Sequence, residues 1–178
     1  MFDDIEQILI NEQELKQKAA ELGKNISDDY DGLNPVFITV LRGSIVFLCD
    51  LIREVKIPIS LDFLSVSSYS GQTHTGVVRI IKDLDENIEN KHVILIEDII
   101  DTGLTLNYIV GMLRERKPAS IKVCALLDKK VRRIIDIPID YMGFEIPDEF
   151  VVGYGMDYNQ KYRNLPYIGV LKQEVLAE

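Results

Sequence analysis

The sequence predicts an α/β fold, a mainly parallel sheet flanked by helices, within one domain covering residues 1–178. Three observations carry this. Short apolar, β-branched runs alternate along the chain with segments of helical spacing, the pattern of right-handed βαβ crossovers. The run "HVILIE" (92–97) is apolar without interruption, as expected for a strand buried on both faces of a parallel sheet. A length of 178 residues supports one sizeable core and is short for two domains and a linker.

Each element has its own justification. In "NEQELKQKAAELGKNISDDY" the apolar residues Leu15, Ala19, Leu22 and Ile26 fall on one face of an amphipathic helix. "PVFITVL" (35–41) reads as a strand, Arg42-Gly43-Ser44 as a turn and "IVFLCDLIRE" as the helix that follows. "ISLDFLSVS" (59–67) is strand-like, "SYSGQTHTG" (68–76) is polar and rich in turn formers, and "VVRII" resumes as strand. The polar insertion is too long for a tight hairpin. After strand 92–97, residues 102–115 read as a helix, and strands follow at "IKVCALL" (121–127), near "DYMGF" and at "EFVVGY". There is no repeat, low-complexity tract or Gly/Ser linker.

Composition narrows the function classes. A formal net charge of -9 opposes nucleic-acid binding, which needs a basic surface. No apolar run approaches the roughly 18–20 residues of a membrane span. The N-terminus "MFDDIEQILINEQ" is acidic where a secretory signal is basic, so a cytoplasmic protein is expected. Cys49 and Cys124 sit inside apolar segments and are expected as buried reduced thiols.

In open parallel α/β sheets the ligand lies at the carboxyl ends of the strands. Glu97, Asp98, Asp101, Thr102, Gly103 and Thr105 all fall there, where the next helix begins. Free N–H groups at a helix start, the macrodipole and two threonine hydroxyls make a phosphate cradle, with Gly103 allowing close approach. No lysine follows the glycine as in a nucleoside-triphosphate loop, and the glycine spacing is not that of a dinucleotide fingerprint. Carboxylates beside a phosphate need hydroxyl donors or a divalent cation, and a ribose phosphate supplies a diol for Glu97 and Asp98. The plainer alternative has Asp98 or Asp101 capping the helix and Glu97 solvated. Similarly, "LRGS" is either a second phosphate loop or an ordinary strand–helix turn; Lys129 taken alone is a solvated lysine, and Phe150 suits either base stacking or the core.

"VILIEDIIDTGLTL" resembles the signature of the phosphoribosyltransferases that use 5-phosphoribosyl 1-diphosphate (PRPP). "VLRGS" (40–44), "SSYSG" (67–71), "LLDKKVRR" (126–133) and "GFEIPDEFVVGYGMDYNQKYRNLPYIGVL" (143–171) resemble, in order and spacing, the hypoxanthine-guanine phosphoribosyltransferases. The similarity runs over nearly the whole chain, and the C-terminal block is particular to the 6-oxopurine branch. It implies the type I phosphoribosyltransferase fold, with a small hood over the base site.

By that resemblance, Glu97, Asp98, Asp101, Thr102, Gly103, Leu104 and Thr105 bind the ribose phosphate of PRPP, and Arg42, Gly43, Ser44 and Arg163 bind pyrophosphate. Ser68 and Tyr69 belong to a lid over residues 68–76, and Lys129, Phe150, Val151 and Asp157 receive the purine. Glu97, Asp98 and Asp157 hold Mg²⁺, Asp101 is the general base, and the Leu41–Arg42 peptide is cis. Many relatives carry lysine where Arg42 stands, a small departure where the loop acts through its backbone. The implied reaction turns hypoxanthine or guanine plus PRPP into IMP or GMP plus pyrophosphate, in a homodimer or homotetramer. Two rivals stand beside it. A PRPP-sensing regulator of nucleic acid lacks the basic surface it would need here, and an enzyme for another base, xanthine above all, is decided by groups around 151–157.

Overall fold

The computed structural model describes residues 1–68 and 78–177; of Ser68 and Val78 it gives the backbone alone. Strand β1 (Ile5–Ile10) leads into helix α1 (Glu12–Asp29), followed by β2 (Val36–Leu41), α2 (Ile45–Glu54), β3 (Ser60–Ser68), β4 (Val78–Lys82) and β5 (His92–Ile100). Then come α3 (Leu104–Glu115), β6 (Ser120–Asp128), a 3₁₀ turn (Lys130–Arg132), β7 (Tyr141–Glu145), β8 (Val151–Val152), β9 (Ile168–Leu171) and α4 (Gln173–Leu176). The main sheet has the order β4-β3-β2-β5-β6-β7 and is parallel except for β4, which pairs antiparallel with β3. Chain direction across the sheet reverses between β2 and β5: α2 carries the chain outward to β3, and α3 carries it the other way to β6. The crevice at that switch point is where such folds bind ligands.

The core forms two layers, one on each face of the sheet. Ile94 and Ile96 of β5 pack with Leu15, Leu22 and Ile26 of α1 and Phe47, Leu48 and Leu51 of α2. Val93 and Leu95 point to the other face, against Leu106, Ile109, Val110 and Leu113 of α3. The four apolar positions expected to face the core from α1 are all buried, and the helix starts on a reciprocal cap between Asn11 and Glu14. Cys124 is buried as expected. Cys49 is not: it faces solvent, because the helical turn that buries Phe47, Leu48 and Leu51 directs it outward.

A second sheet, β1-β9-β8, is antiparallel and joins the two ends of the chain. Tyr162 donates to Asp4 at 2.8 Å, fastening the segment after β8 to the N-terminus. Strand β1 escaped the sequence reading, which noted of the N-terminal residues only that they are acidic, unlike a secretory signal. Glu6, Gln7 and Ile8 are exposed in succession, so burial does not alternate along it, and its partner lies some 160 residues away. The lid expected at 68–76 lies, from Tyr69 onward, outside the described residues, and Ser68 is the last residue of β3. No helix among the described residues is long and apolar enough to cross a membrane.

Candidate active site

The loops after β2, β5 and β6 end on the same edge of the sheet, and the segment from 150 to 163 folds over them. Two pockets result, and they meet at Ile99 and Asp101. The first, about 230 Å³, is made almost wholly by one stretch of chain: Glu97, Asp101, Thr102, Gly103, Thr105 and Leu106, closed by Val40. Gly103 precedes α3 with φ of 83°, a left-handed conformation that suits glycine, and a Cβ there would lie 2.6 Å from the Ile135 carbonyl oxygen. The leading N–H groups of α3 have no intrahelical acceptor, and among the described residues only that of Leu104 meets a side chain, Thr102 Oγ1 at 3.4 Å. Leu104 itself is exposed at the rim. This is the geometry of an anion cradle.

The second pocket, about 320 Å³, is composite. Arg42 and Gly43 come from the loop after β2, Asp98 and Asp101 from β5 and the turn after it, Lys129 from the end of β6, and Phe150, Val151, Met156, Asp157 and Arg163 from the hood. The Leu41–Arg42 peptide is cis. Ser44 is buried, and its hydroxyl donates to the Val40 carbonyl while receiving a hydrogen bond from Thr39, so this loop can offer a ligand backbone and Arg42 but not the serine side chain. Asp98 packs so closely on Gly43 that any Cβ at residue 43 would collide with its carboxylate.

Strand geometry separates the two adjacent carboxylates. Successive side chains of β5 point to opposite faces, so Glu97 continues the α3 side and lines the first pocket, while Asp98 continues the α1–α2 side and lines the second. Burial, reinforced by the Asp98 charge, pushes the Glu97 carboxyl well above the usual carboxylate range. Burial likewise pushes Asp98 up to about 6, although the Ile99 N–H donates to it at 2.9 Å and Arg163 attracts it. Asp98 and Asp157 share the composite pocket, with Glu97 across the strand; among the described residues no group of three or more His, Cys, Asp or Glu side chains gathers in metal-binding fashion. Asp98, desolvated and in no ion pair among the described residues, fits a divalent cation that takes most of its remaining ligands from phosphate and water, as Mg²⁺ does.

Lys129 is buried, and its ammonium makes no hydrogen bond or ion pair among the described residues; its backbone N–H donates to the Ile100 carbonyl at 2.9 Å. Phe150, 40% exposed, meets Tyr158 edge-on at 5.5 Å, leaving a ring face accessible for stacking. The backbone of Val151 is held in β8 by β9. Arg163 pairs with Asp157 at 2.7 Å and donates to the Gly155 carbonyl at 2.8 Å. Gln160, which the sequence reading did not single out, accepts from both Arg42 at 3.0 Å and Arg163 at 3.3 Å and so links the two cations. A lone glutamine between aromatics gives no local signal of such a role.

A family model for the phosphoribosyl transferase domain matches residues 4–159. The hypoxanthine-guanine phosphoribosyltransferase of Bacillus subtilis is 51% identical over 176 residues, covering 98% of both chains. The bifunctional protein TilS/HprT of Listeria monocytogenes is 48% identical over the whole chain, which spans 28% of that longer protein. The crystal structure of a hypoxanthine phosphoribosyltransferase from Staphylococcus aureus superposes with a TM-score of 0.96 at 49% identity, covering 100% of this chain and 97% of that one. A fold with its crevice at the β2–β5 switch point, an anion cradle before α3 and similarity along the full length agree: the chain belongs to the phosphoribosyl transferase domain family, among the hypoxanthine-guanine phosphoribosyltransferases.

Proposed function

We propose that this chain is a purine-salvage enzyme that joins hypoxanthine or guanine to the ribosyl group of PRPP, giving IMP or GMP and pyrophosphate. The observation that carries this reading is the composite pocket, which places a buried unpaired lysine and an accessible phenylalanine in the same space as Asp98, Asp101, Arg42 and Arg163.

The ribose 5-phosphate sits in the cradle of residues 101–105, with Glu97 and Asp98 on either side of the ribose. Arg42, the backbone of Gly43 and Ser44, and Arg163 receive the diphosphate. Lys129 donates to the purine O6, Phe150 stacks on the ring, and the Val151 backbone reads its edge. N9 attacks ribose C1′ from the face opposite the diphosphate; the C1′–O bond breaks and its electron pair leaves with pyrophosphate, while the N7 proton passes to Asp101. Positive charge developing on the ribosyl group is stabilised by the flanking carboxylates. Asp98, Asp157 and Glu97 are the residues that would hold Mg²⁺, which when bound with PRPP neutralises diphosphate charge. A lid at Ser68 and Tyr69 would exclude water from the activated centre. The working protein is a cytoplasmic homodimer or homotetramer, to be checked by light scattering.

A steady-state assay of hypoxanthine, guanine, xanthine and adenine with Mg·PRPP tests the reading. Turnover is expected with the first two and rejection of adenine. Absence of PRPP-dependent turnover with all four bases would leave a PRPP-binding regulator instead.

A further inference from the structure

Arg132 has no part in the reaction described above, yet it touches the group at its centre. It closes the 3₁₀ turn Lys130–Arg132, and its N–H donates to the Lys129 carbonyl at 2.9 Å, so one tight turn fixes its spacing from that lysine. From there the guanidinium reaches carboxylates on two other segments. Its Nε lies 3.1 Å from Asp101 Oδ1, and Nη1 donates to Asp148 Oδ1 at 3.4 Å. Asp101 Oδ1 is buried and accepts no hydrogen bond among the described residues, so charge attraction to Arg132 is what restrains that oxygen. The three segments so joined carry the proposed N7 proton acceptor, the O6 donor and, two residues beyond Asp148, the stacking ring of Phe150. A planar cation with forked donors can hold two carboxylates at once, which an ammonium does poorly.

We propose that Arg132 is a positioning residue for the transfer. It holds the Asp101 carboxylate by one oxygen, leaves the other for the N7 proton, and keeps the Lys129 turn in register with it. This rests on the phosphoribosyltransferase reading, and the two fail differently.

The test measures IMP formation from hypoxanthine and PRPP, with thermal melting of every variant. Arg132→Gln is expected to lower kcat about tenfold, since a loosened base loses its near-attack geometry, while the KM for PRPP stays within about twofold. Arg132→Lys recovers most of kcat because an ammonium still pairs with Asp101. Asp148→Asn, which breaks only the outer anchor, stays within about twofold of wild type. In an Asp101→Asn background, Arg132→Gln has no further effect, since the arginine acts through the carboxylate. Wild-type kcat in Arg132→Gln, or an undiminished loss in the Asp101→Asn background, overturns the proposal alone; no turnover by the wild-type protein overturns both readings. Should Arg132→Gln fail to fold, Arg132→Met, which keeps the packing of the stem, replaces it under the same criteria.

Discussion

The two pockets that meet at Asp101 are built in opposite ways. The first is a single stretch of chain, residues 97–106, whose shape follows from a strand ending, a glycine in a left-handed conformation and a helix beginning. The second needs three separate segments and a hood that is braced by a sheet joining both chain ends. A pocket made of consecutive residues depends mainly on local backbone conformation, so a change there acts on one ligand group. A pocket assembled from distant loops depends on their mutual placement, and its residues include ones with no individual signature, such as Gln160 and Arg132.

Asp101 borders both pockets, and the largest effect is expected there. Asp101→Asn keeps the shape and loses the proton acceptor. Turnover should fall about 10²- to 10⁴-fold with PRPP binding nearly intact, as measured by equilibrium titration and single-turnover kinetics. A variant within a few-fold of wild type would remove Asp101 from the base role.

Lys129→Gln perturbs the composite pocket alone. It removes a cation and adds an acceptor, so kcat/KM for hypoxanthine should drop about 10- to 100-fold while the gap to adenine narrows. The KM for PRPP is the internal control. Unchanged base preference would move recognition of the 6-position elsewhere in the pocket.

Gly103→Ala perturbs the contiguous pocket alone. The residue has φ of 83° and an added Cβ meets the Ile135 carbonyl oxygen at 2.6 Å, so stability should fall by at least about 1–2 kcal/mol. The KM for PRPP should rise severalfold while the hypoxanthine-to-guanine preference holds. A change in base preference here would show that the two pockets are not separable.

The smallest effect concerns pH. The folded-state pKa of Asp98 is raised to about 6 by burial, above its unfolded value, and Glu97 moves in the same direction. The folded chain therefore binds more protons than the unfolded chain in this range, and stability falls as pH rises from about 4 through about 6. Thermal melting of the free protein against pH should show that decline, and Asp98→Asn should flatten part of it. Mg·PRPP, which favours the ionised carboxylates, should reduce the decline as well. A free protein that gains stability steadily over that range would contradict the assigned burial.

Part of this site's backbone geometry is legible in the sequence. The anion cradle was readable because its parts are consecutive: an apolar run long enough to be a buried strand, carboxylates at its end, Thr-Gly-Leu-Thr, then helical spacing. The roles proposed for Lys129, Phe150 and Arg163 have no such local basis and rest on resemblance over the full chain. Cys49 was misread because an apolar neighbourhood in sequence says little about which way one helical position faces.

Residue order fixed the alternation of strands and helices and the backbone of the turn at 101–105, since those depend on periodicity and conformation over a few residues. The rest was settled by packing. The alternation of β5 sends Glu97 and Asp98 to opposite faces, but which pocket each of them lines depends on where α2, α3 and the 150–163 segment come to rest. The pairing of β1 with β9, the linking of Arg42 to Arg163 through Gln160 and the contact of Arg132 with Asp101 join residues tens to more than a hundred positions apart. Such contacts carry no periodicity of their own and exist only once a common core has brought their segments together.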